Sequence, residues 1–250
     1  MREKLIALSM VKKGDWSEIH RFLRKDRKLS SIDDAVACQL VDQLKYEAVT
    51  IFDQSYPDAW KEMSKPPFVV YLNGSSQLLR QNIIAIIGGK LASETTKQSV
   101  RFLLGKLPND VCVVTGLERG VEVYSSEYAK RKIACLASGF LADELYQQHR
   151  GYAKFTEADL LISELPPTAK FDLQAYYRAY HLLAELSQVV CVFELASFDL
   201  RVKYLNYLAE VGKSMVVLPD KKTKHTAGGL GLINLGAKCL LQPSDVLALL

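Results

Sequence analysis

The chain has 250 residues, of which 49% are hydrophobic and 24% charged, a balance typical of folded globular proteins that excludes wholesale disorder and fibrous repeats. The net charge of +4 is too small to indicate a polyanionic partner by itself. No apolar run approaches the roughly 20 residues that cross a bilayer, and the first residues lack the pattern of a secretory signal. A cytoplasmic protein without a membrane partner is therefore expected.

The first 75 residues predict a small helical module and a connection punctuated by prolines. Asp15 and Glu18 form a capping box ahead of an amphipathic segment. The strand-like string VTIF follows, and the proline-containing stretch 56–74 is expected to lie against the next domain. We therefore expect a helical N-terminal module over 1–75 and a second domain over 76–250.

In this second domain, short apolar runs alternate with amphipathic segments. Six runs are apolar on both faces, as buried parallel strands are. They begin at Ile83, Val111, Ile133, Asp159, Val189 and Met215. Helices are expected between them, on both sides of the sheet. This order predicts an α/β fold, a Rossmann-like doubly wound and mostly parallel sheet preceded by the small helical module.

The exits of the first two strands are candidate binding loops. The first strand runs into Gly88 and Gly89, which let a ligand approach the backbone, and into Lys90, which adds positive charge. Ligands of doubly wound folds bind at the carboxyl ends of the strands, where helix N-termini attract anions. The second strand ends in TGLERGVE, which places Arg119 between two glycines. A tight turn without a ligand is the alternative for the first loop.

A helix predicted over 172–187 carries Arg178 and His181 on one face and several tyrosines on another. Arginine beside aromatic rings can hold the bases of single-stranded nucleic acid. The alternative is a set of core tyrosines with a solvated polar face. The next helix offers Lys203 near its start.

No pattern indicates catalytic residues, a metal site or a cofactor. The five cysteines contain no CxxC pair, the four histidines show no HExxH spacing, and no serine lies in a GxSxG turn. The string GGLGL, which begins at Gly228, lacks the third glycine of a dinucleotide-binding motif and follows the sixth strand rather than the first. The protein is therefore expected not to be an enzyme.

Several strings in consistent order resemble the DprA/Smf family of bacterial DNA-processing proteins. They are VVYLNG, IAIIGGK, TGLERGVE, LISELPP, LLAELS, AEVGKSMVVLP and GLGLINLGA. The resemblance implies a cytoplasmic homodimer that binds and protects incoming single-stranded DNA and delivers it to a RecA-type recombinase during natural transformation. The candidate DNA-binding residues are Gly88, Gly89, Lys90, Arg119, Arg178, His181 and Lys203.

The chain departs from the family pattern in the loops that would line the site. Lys90 stands where the family usually has arginine, and Glu118 and Glu122 stand where it usually has alanine and aspartate. Residues 179–181 replace an arginine, asparagine, arginine run. Two alternatives therefore stay open. The chain could be a degenerate family member that acts as a scaffold without binding DNA, or a Rossmann-like protein that binds or hydrolyses nucleotides.

Overall fold

The computed structural model describes residues 1–24, 29–141, 152–219 and 225–250. Within these residues nine strands form one sheet. The strands are β1 (Glu47–Thr50), β2 (Val69–Gly74), β3 (Asn82–Gly88), β4 (Val111–Thr115), β5 (Lys132–Leu136), β6 (Leu160–Ser163), β7 (Val189–Phe193), β8 (Met215–Val217) and β9 (Lys238–Cys239). All six strands expected from apolar runs are among them.

Ten α-helices are described over the same ranges. They are α1 (Arg2–Val11), α2 (Trp16–Arg24), α3 (Asp34–Asp42), α4 (Asp58–Lys61), α5 (Glu94–Lys106), α6 (Val121–Tyr128), α7 (Leu173–Leu186), α8 (Val202–Glu210), α9 (Ala227–Asn234) and α10 (Ser244–Leu247). None of these helices has the length and apolar character that a membrane span requires.

The sheet has the order β1-β2-β6-β5-β4-β3-β7-β8-β9. From β6 to β9 all neighbouring strands are parallel, whereas β1 and β2 are antiparallel additions at one edge. The chain moves outward from β3 through β4, β5 and β6, and then returns to β7 on the other side of β3. This reversal is the topological switch point of a doubly wound fold, next to which ligands bind. The predicted Rossmann-like, mostly parallel sheet is confirmed.

Helices cover both faces of the sheet because its central strands are apolar on both sides. On one face, Leu183 of α7, Leu205 of α8 and Leu232 of α9 share a core with the strands. On the other face, Val100 of α5 and Val121 of α6 do the same. The loops at the carboxyl ends of the strands therefore emerge between two helical layers.

The N-terminal part of the chain is joined closely to this sheet. The stretch expected to lie against the sheet instead supplies β2, which is buried from Val69 to Leu72 and pairs with β6. Leu5 and Ile6 of α1 pack into a core with Tyr71, whose hydroxyl lies 3.0 Å from Ser9 Oγ. The domain boundary at residue 75 stays a prediction, but two strands that precede it belong to the sheet.

Candidate functional site

A cavity of about 480 Å³ opens at the carboxyl ends of β3, β4 and β5, beside α7. We call this cavity the crevice. Its lining includes Lys90, Gly116, Glu118, Arg119, Phe171, Leu173, Tyr176, Tyr180 and Leu200. The crevice lies at the edge of the sheet where doubly wound folds bind their ligands.

Lys90 and Arg119 both line the crevice, because each follows a strand whose carboxyl end meets this edge. The Lys90 side chain is 62% exposed, and its Nζ lies 3.2 Å from Oε2 of Glu118. The Glu118 carboxylate also lies 3.4 Å from the hydroxyl of Tyr176. The exposed Arg119 side chain pairs with no carboxylate among the residues described. The crevice thus offers two cations, one of them already neutralised.

Gly88 and Gly89 lie at the crevice edge, where the packing of the backbone requires their small size. A Cβ on Gly88 would lie 2.6 Å from Cβ of Val121, and a Cβ on Gly89 would lie 2.4 Å from the carbonyl oxygen of Glu194. Both glycines are buried. Their presence is therefore explained by the close approach of α6 and the end of β7, so a direct DNA contact stays a prediction.

Arg178 does not share the crevice with Lys90 and Arg119. Its guanidinium binds both carboxylate oxygens of Glu164 and donates to the carbonyl oxygen of Lys65. It lines a separate cavity of about 360 Å³ between α7 and the turn that joins α1 to α2. The reason is helical geometry, since residues two apart, such as Tyr176 and Arg178, point about 200° apart.

His181 and Lys203 also lie away from the crevice. The imidazole of His181 stacks on the ring of Tyr204, with centroids 3.8 Å apart. Burial lowers the pKa of His181 to about 4, and the nearby positive charge of Arg178 acts in the same direction. His181 is therefore neutral at neutral pH and supplies no charge for a phosphate. Lys203 is exposed on α8 and lines neither cavity. DNA-binding roles for Arg178, His181 and Lys203 stay predictions, without the shared site expected for them.

A buried ion network beneath the crevice was not foreseen from the sequence. The guanidinium of Arg201 donates to the carboxylate of Glu122, to both carboxylate oxygens of Asp199 at 2.6 and 2.7 Å, and to the carbonyl oxygen of Gly88 at 2.8 Å. The Tyr180 hydroxyl donates to Glu122 Oε2 at 2.9 Å. The Arg201 and Glu122 side chains are almost completely inaccessible to solvent.

One signal in the sequence pointed to this network. Glu122 and Tyr180 both stand at positions where the chain departs from the family pattern, and the two side chains touch each other. Arg201 immediately precedes α8, where a cation carries no signal of a buried partner. Their contact is a finding of the structure, and nothing in the sequence identifies Arg201 as the third partner of Glu122 and Tyr180.

Carboxylates of the chain itself occupy backbone donors at this edge of the sheet. Glu122 accepts hydrogen bonds from the backbone N–H groups of Gly116 and Glu118, at 2.9 and 3.2 Å. Glu194 accepts from the N–H of Ser93, just before α5, at 2.8 Å. Burial raises the pKa of Glu122 to about 7, against the opposing effects of Arg201 and Tyr180. These three backbone N–H groups already have acceptors within the chain, whereas the exposed cations of the crevice, Lys90 and Arg119, lie at its lining.

The aromatic side of the crevice can contact the bases of a nucleic acid. The rings of Phe171 and Tyr176 meet edge to face with centroids 6.3 Å apart, and the ring of Tyr180 lies 4.9 Å from that of Tyr176. Phe171 is exposed and Tyr176 is half-buried, whereas Tyr180 is buried beneath them, so the rings of Phe171 and Tyr176 are the ones that can stack on bases of any sequence. Within the described ranges, no group of three or more His, Cys, Asp or Glu side chains is placed to hold a metal ion.

The fold and the crevice define a Rossmann-like α/β protein with a binding site at the carboxyl edge of its sheet. Residues 47–250 match the family model of DNA recombination-mediator protein A, and the chain belongs to this family. The resemblance to DprA/Smf proteins is thereby confirmed.

Two curated relatives agree with this assignment. The chain is 25% identical over 214 residues to DNA processing protein DprA of Streptococcus pneumoniae, a match that covers 82% of this chain and 74% of that protein. It is 23% identical over 183 residues to Protein Smf of Borreliella burgdorferi, covering 68% of this chain and 58% of that protein.

Two solved structures share the fold. The structure of DprA from Streptococcus pneumoniae superimposes with a TM-score of 0.76 at 21% identity, covering 98% of this chain and 92% of that one. A DprA structure from Helicobacter pylori, described with its single-stranded DNA binding mode, gives a TM-score of 0.72 at 19% identity, covering 82% and 95%.

Replacing the buried arginine should destabilise the fold. In Arg201→Ala, the carboxylates of Glu122 and Asp199 would remain buried without their cation, so we expect the free energy of unfolding to fall by about 3–5 kcal/mol. Urea unfolding followed by circular dichroism measures this. Lys203→Ala, an exposed change two residues further along the chain, is the control and should cost less than about 0.5 kcal/mol. Equal stabilities for the two variants would contradict the structural role of Arg201.

His181 should contribute to loss of stability in acid. Since its pKa is lower in the folded protein, the unfolded chain takes up this proton first, and stability falls as the pH drops from about 6.5 towards about 4. His181→Phe keeps the stacked ring but cannot titrate. We therefore expect the free energy of unfolding of the variant to decline less steeply over this range. Parallel pH profiles for the two proteins would show that His181 is not the group responsible.

Proposed function

We propose that this chain is a non-enzymatic mediator of recombination that binds single-stranded DNA in the crevice. The observation that carries the proposal is the convergence of Lys90 and Arg119 with Phe171 and Tyr176 on one cavity. Lysine and arginine supply sequence-independent, salt-sensitive attraction to phosphates, and aromatic rings accept any base.

Relatives support the same role. One family neighbour is described by its mode of binding single-stranded DNA, and another is named as a DNA-processing protein. In the proposed role, the protein acts in the cytoplasm as a homodimer, protects incoming DNA during natural transformation, and passes it to a RecA-type recombinase.

A degenerate scaffold is the second candidate, favoured by a specific observation. Glu122 and Glu194 fill backbone donors at the edge of the crevice, and Glu118 neutralises Lys90. A protein of this kind would keep its protein partners without binding DNA. A nucleotide-hydrolysing role has no comparable support. The glycine-rich string that begins at Gly228 is explained by packing, since Gly228 lies in α9 and a Cβ there would meet the carbonyl oxygen of Ala196 at 2.6 Å.

Removing either crevice cation should weaken DNA binding. For Lys90→Ala and Arg119→Ala, fluorescence anisotropy with an oligonucleotide should show lower affinity for every sequence. The slope of log affinity against log salt should fall by about 0.7 for each phosphate contact that is lost. Lys238→Ala, an exposed change on β9 outside both cavities, is the control and should match the original protein. If the original protein does not bind at low salt, or binds without salt dependence, the scaffold candidate is favoured instead.

Neutralising Glu118 should have the opposite effect. Glu118→Gln removes the negative charge beside Lys90. The Lys90 ammonium group can then bind a phosphate without first breaking an ion pair. The pair is exposed on the Lys90 side and partly buried on the Glu118 side. Ion pairs near the surface contribute up to about 1 kcal/mol, so we expect a gain in DNA affinity of up to about fivefold in the same assay. The control is Glu210→Gln, an exposed change on α8 that leaves the crevice intact. Unchanged or weaker binding by Glu118→Gln would show that Glu118 does not compete with DNA.

A further inference from the structure

Cationic and aromatic side chains also line the contact between α5 and α6, on the face of the sheet opposite α7. We call Lys97, Arg101, Tyr124 and Tyr128 the α5–α6 seam. Lys97 Nζ lies 5.9 Å from the centre of the Tyr124 ring, and Arg101 Cζ lies 4.9 Å from the centre of the Tyr128 ring. The two tyrosine rings are 4.8 Å apart. The seam therefore alternates positive charge with aromatic surface.

Much of this surface faces solvent. The Tyr128 side chain is 45% exposed, and Arg101 is exposed beside it. Within the described part of the chain, the Arg101 guanidinium pairs with no carboxylate, whereas Lys97 pairs with Glu94. The exposed ring of Phe102 adjoins Arg101 in sequence. A negatively charged ligand with flat rings would complement this surface in both charge and shape.

The seam begins where the crevice ends. α6 starts directly after Gly120, next to Arg119, and the N–H of Tyr124 donates to the Gly120 carbonyl oxygen at 3.0 Å. α5 starts four residues after Lys90. With a rise of 1.5 Å per residue, Tyr128 lies about 12 Å along α6 from Gly120. That length matches about three or four nucleotides at 3.4 Å each.

We propose that the α5–α6 seam is a second contact site for single-stranded DNA, which continues the path of a strand that leaves the crevice at Arg119. Bases stack on the exposed ring of Tyr128 and on the guanidinium of Arg101, and Lys97 and Arg101 attract the phosphates. This inference rests on the proposed function, because the crevice supplies the first contact.

Two oligonucleotide lengths separate the seam from the crevice. A thymidine oligonucleotide of about 5 nucleotides needs only the crevice, whereas one of about 16 reaches the seam as well. We expect Tyr128→Ala and Arg101→Ala to bind the longer oligonucleotide about tenfold more weakly and the shorter one unchanged, by fluorescence anisotropy. Tyr128→Phe keeps the ring and should retain the affinity. Tyr207→Ala, which removes a tyrosine 55% exposed on α8, is the matched control and should have no effect.

The outcomes distinguish the seam from the crevice. If the original protein binds neither oligonucleotide, the proposed function and the seam proposal are both wrong. If it binds both, and the seam variants bind the longer one as tightly as the original protein does, the seam proposal alone is wrong. An equal loss for both lengths also refutes it, because the change then acts on the crevice. Should Tyr128→Ala lower the thermal unfolding temperature, Arg101→Ala, which changes an exposed side chain, decides the test.

Discussion

The arrangement of the crevice depends on one buried guanidinium. Arg201 joins the end of β3 through Gly88, the start of α6 through Glu122, and the loop before α8 through Asp199. A buried charge is expensive unless charged and hydrogen-bonding partners surround it, and here two carboxylates and a carbonyl oxygen do so. Since these partners come from three separate parts of the chain, the network holds the loops that line the crevice in fixed relative positions.

The same network determines how the site can recognise an anion. The Glu122 carboxylate, which binds Arg201, also accepts hydrogen bonds from the N–H groups of Gly116 and Glu118 in the β4–α6 loop, so these two groups are not available to an anion. In the proposed function, Lys90 and Arg119 of the crevice lining supply the recognition. Attraction by solvent-exposed cations is sensitive to salt and depends little on exact geometry. A concave site built from successive backbone N–H groups would bind an anion in a more fixed position.

The departures of this chain from its family are connected in space. Tyr180 and Glu122 hydrogen-bond to each other, and Arg201 binds the Glu122 carboxylate. Glu118 reaches Lys90 and Tyr176 on the crevice wall. These contacts form one connected polar network, so the substitutions in it are not independent of one another. A chain can therefore keep the family fold, whose strands are set by apolar packing, while the electrostatics of its site change.

The amino-acid sequence is sufficient to predict the sheet and two of the residues that line the crevice. Short runs that are apolar on both faces and alternate with amphipathic segments are typical of buried parallel strands. Lys90 and Arg119 lie in the loops that follow two such strands, whose carboxyl ends share one edge of the sheet. The packing of the elements, which the sequence does not reveal, brings Arg178 to Glu164, stacks His181 on Tyr204 and adds residues 69–74 to the sheet. The spacing of apolar residues along the sequence indicates which face of its own helix or strand a residue occupies. The partner that it meets, 79 residues away for Arg201 and Glu122, depends on how the elements pack.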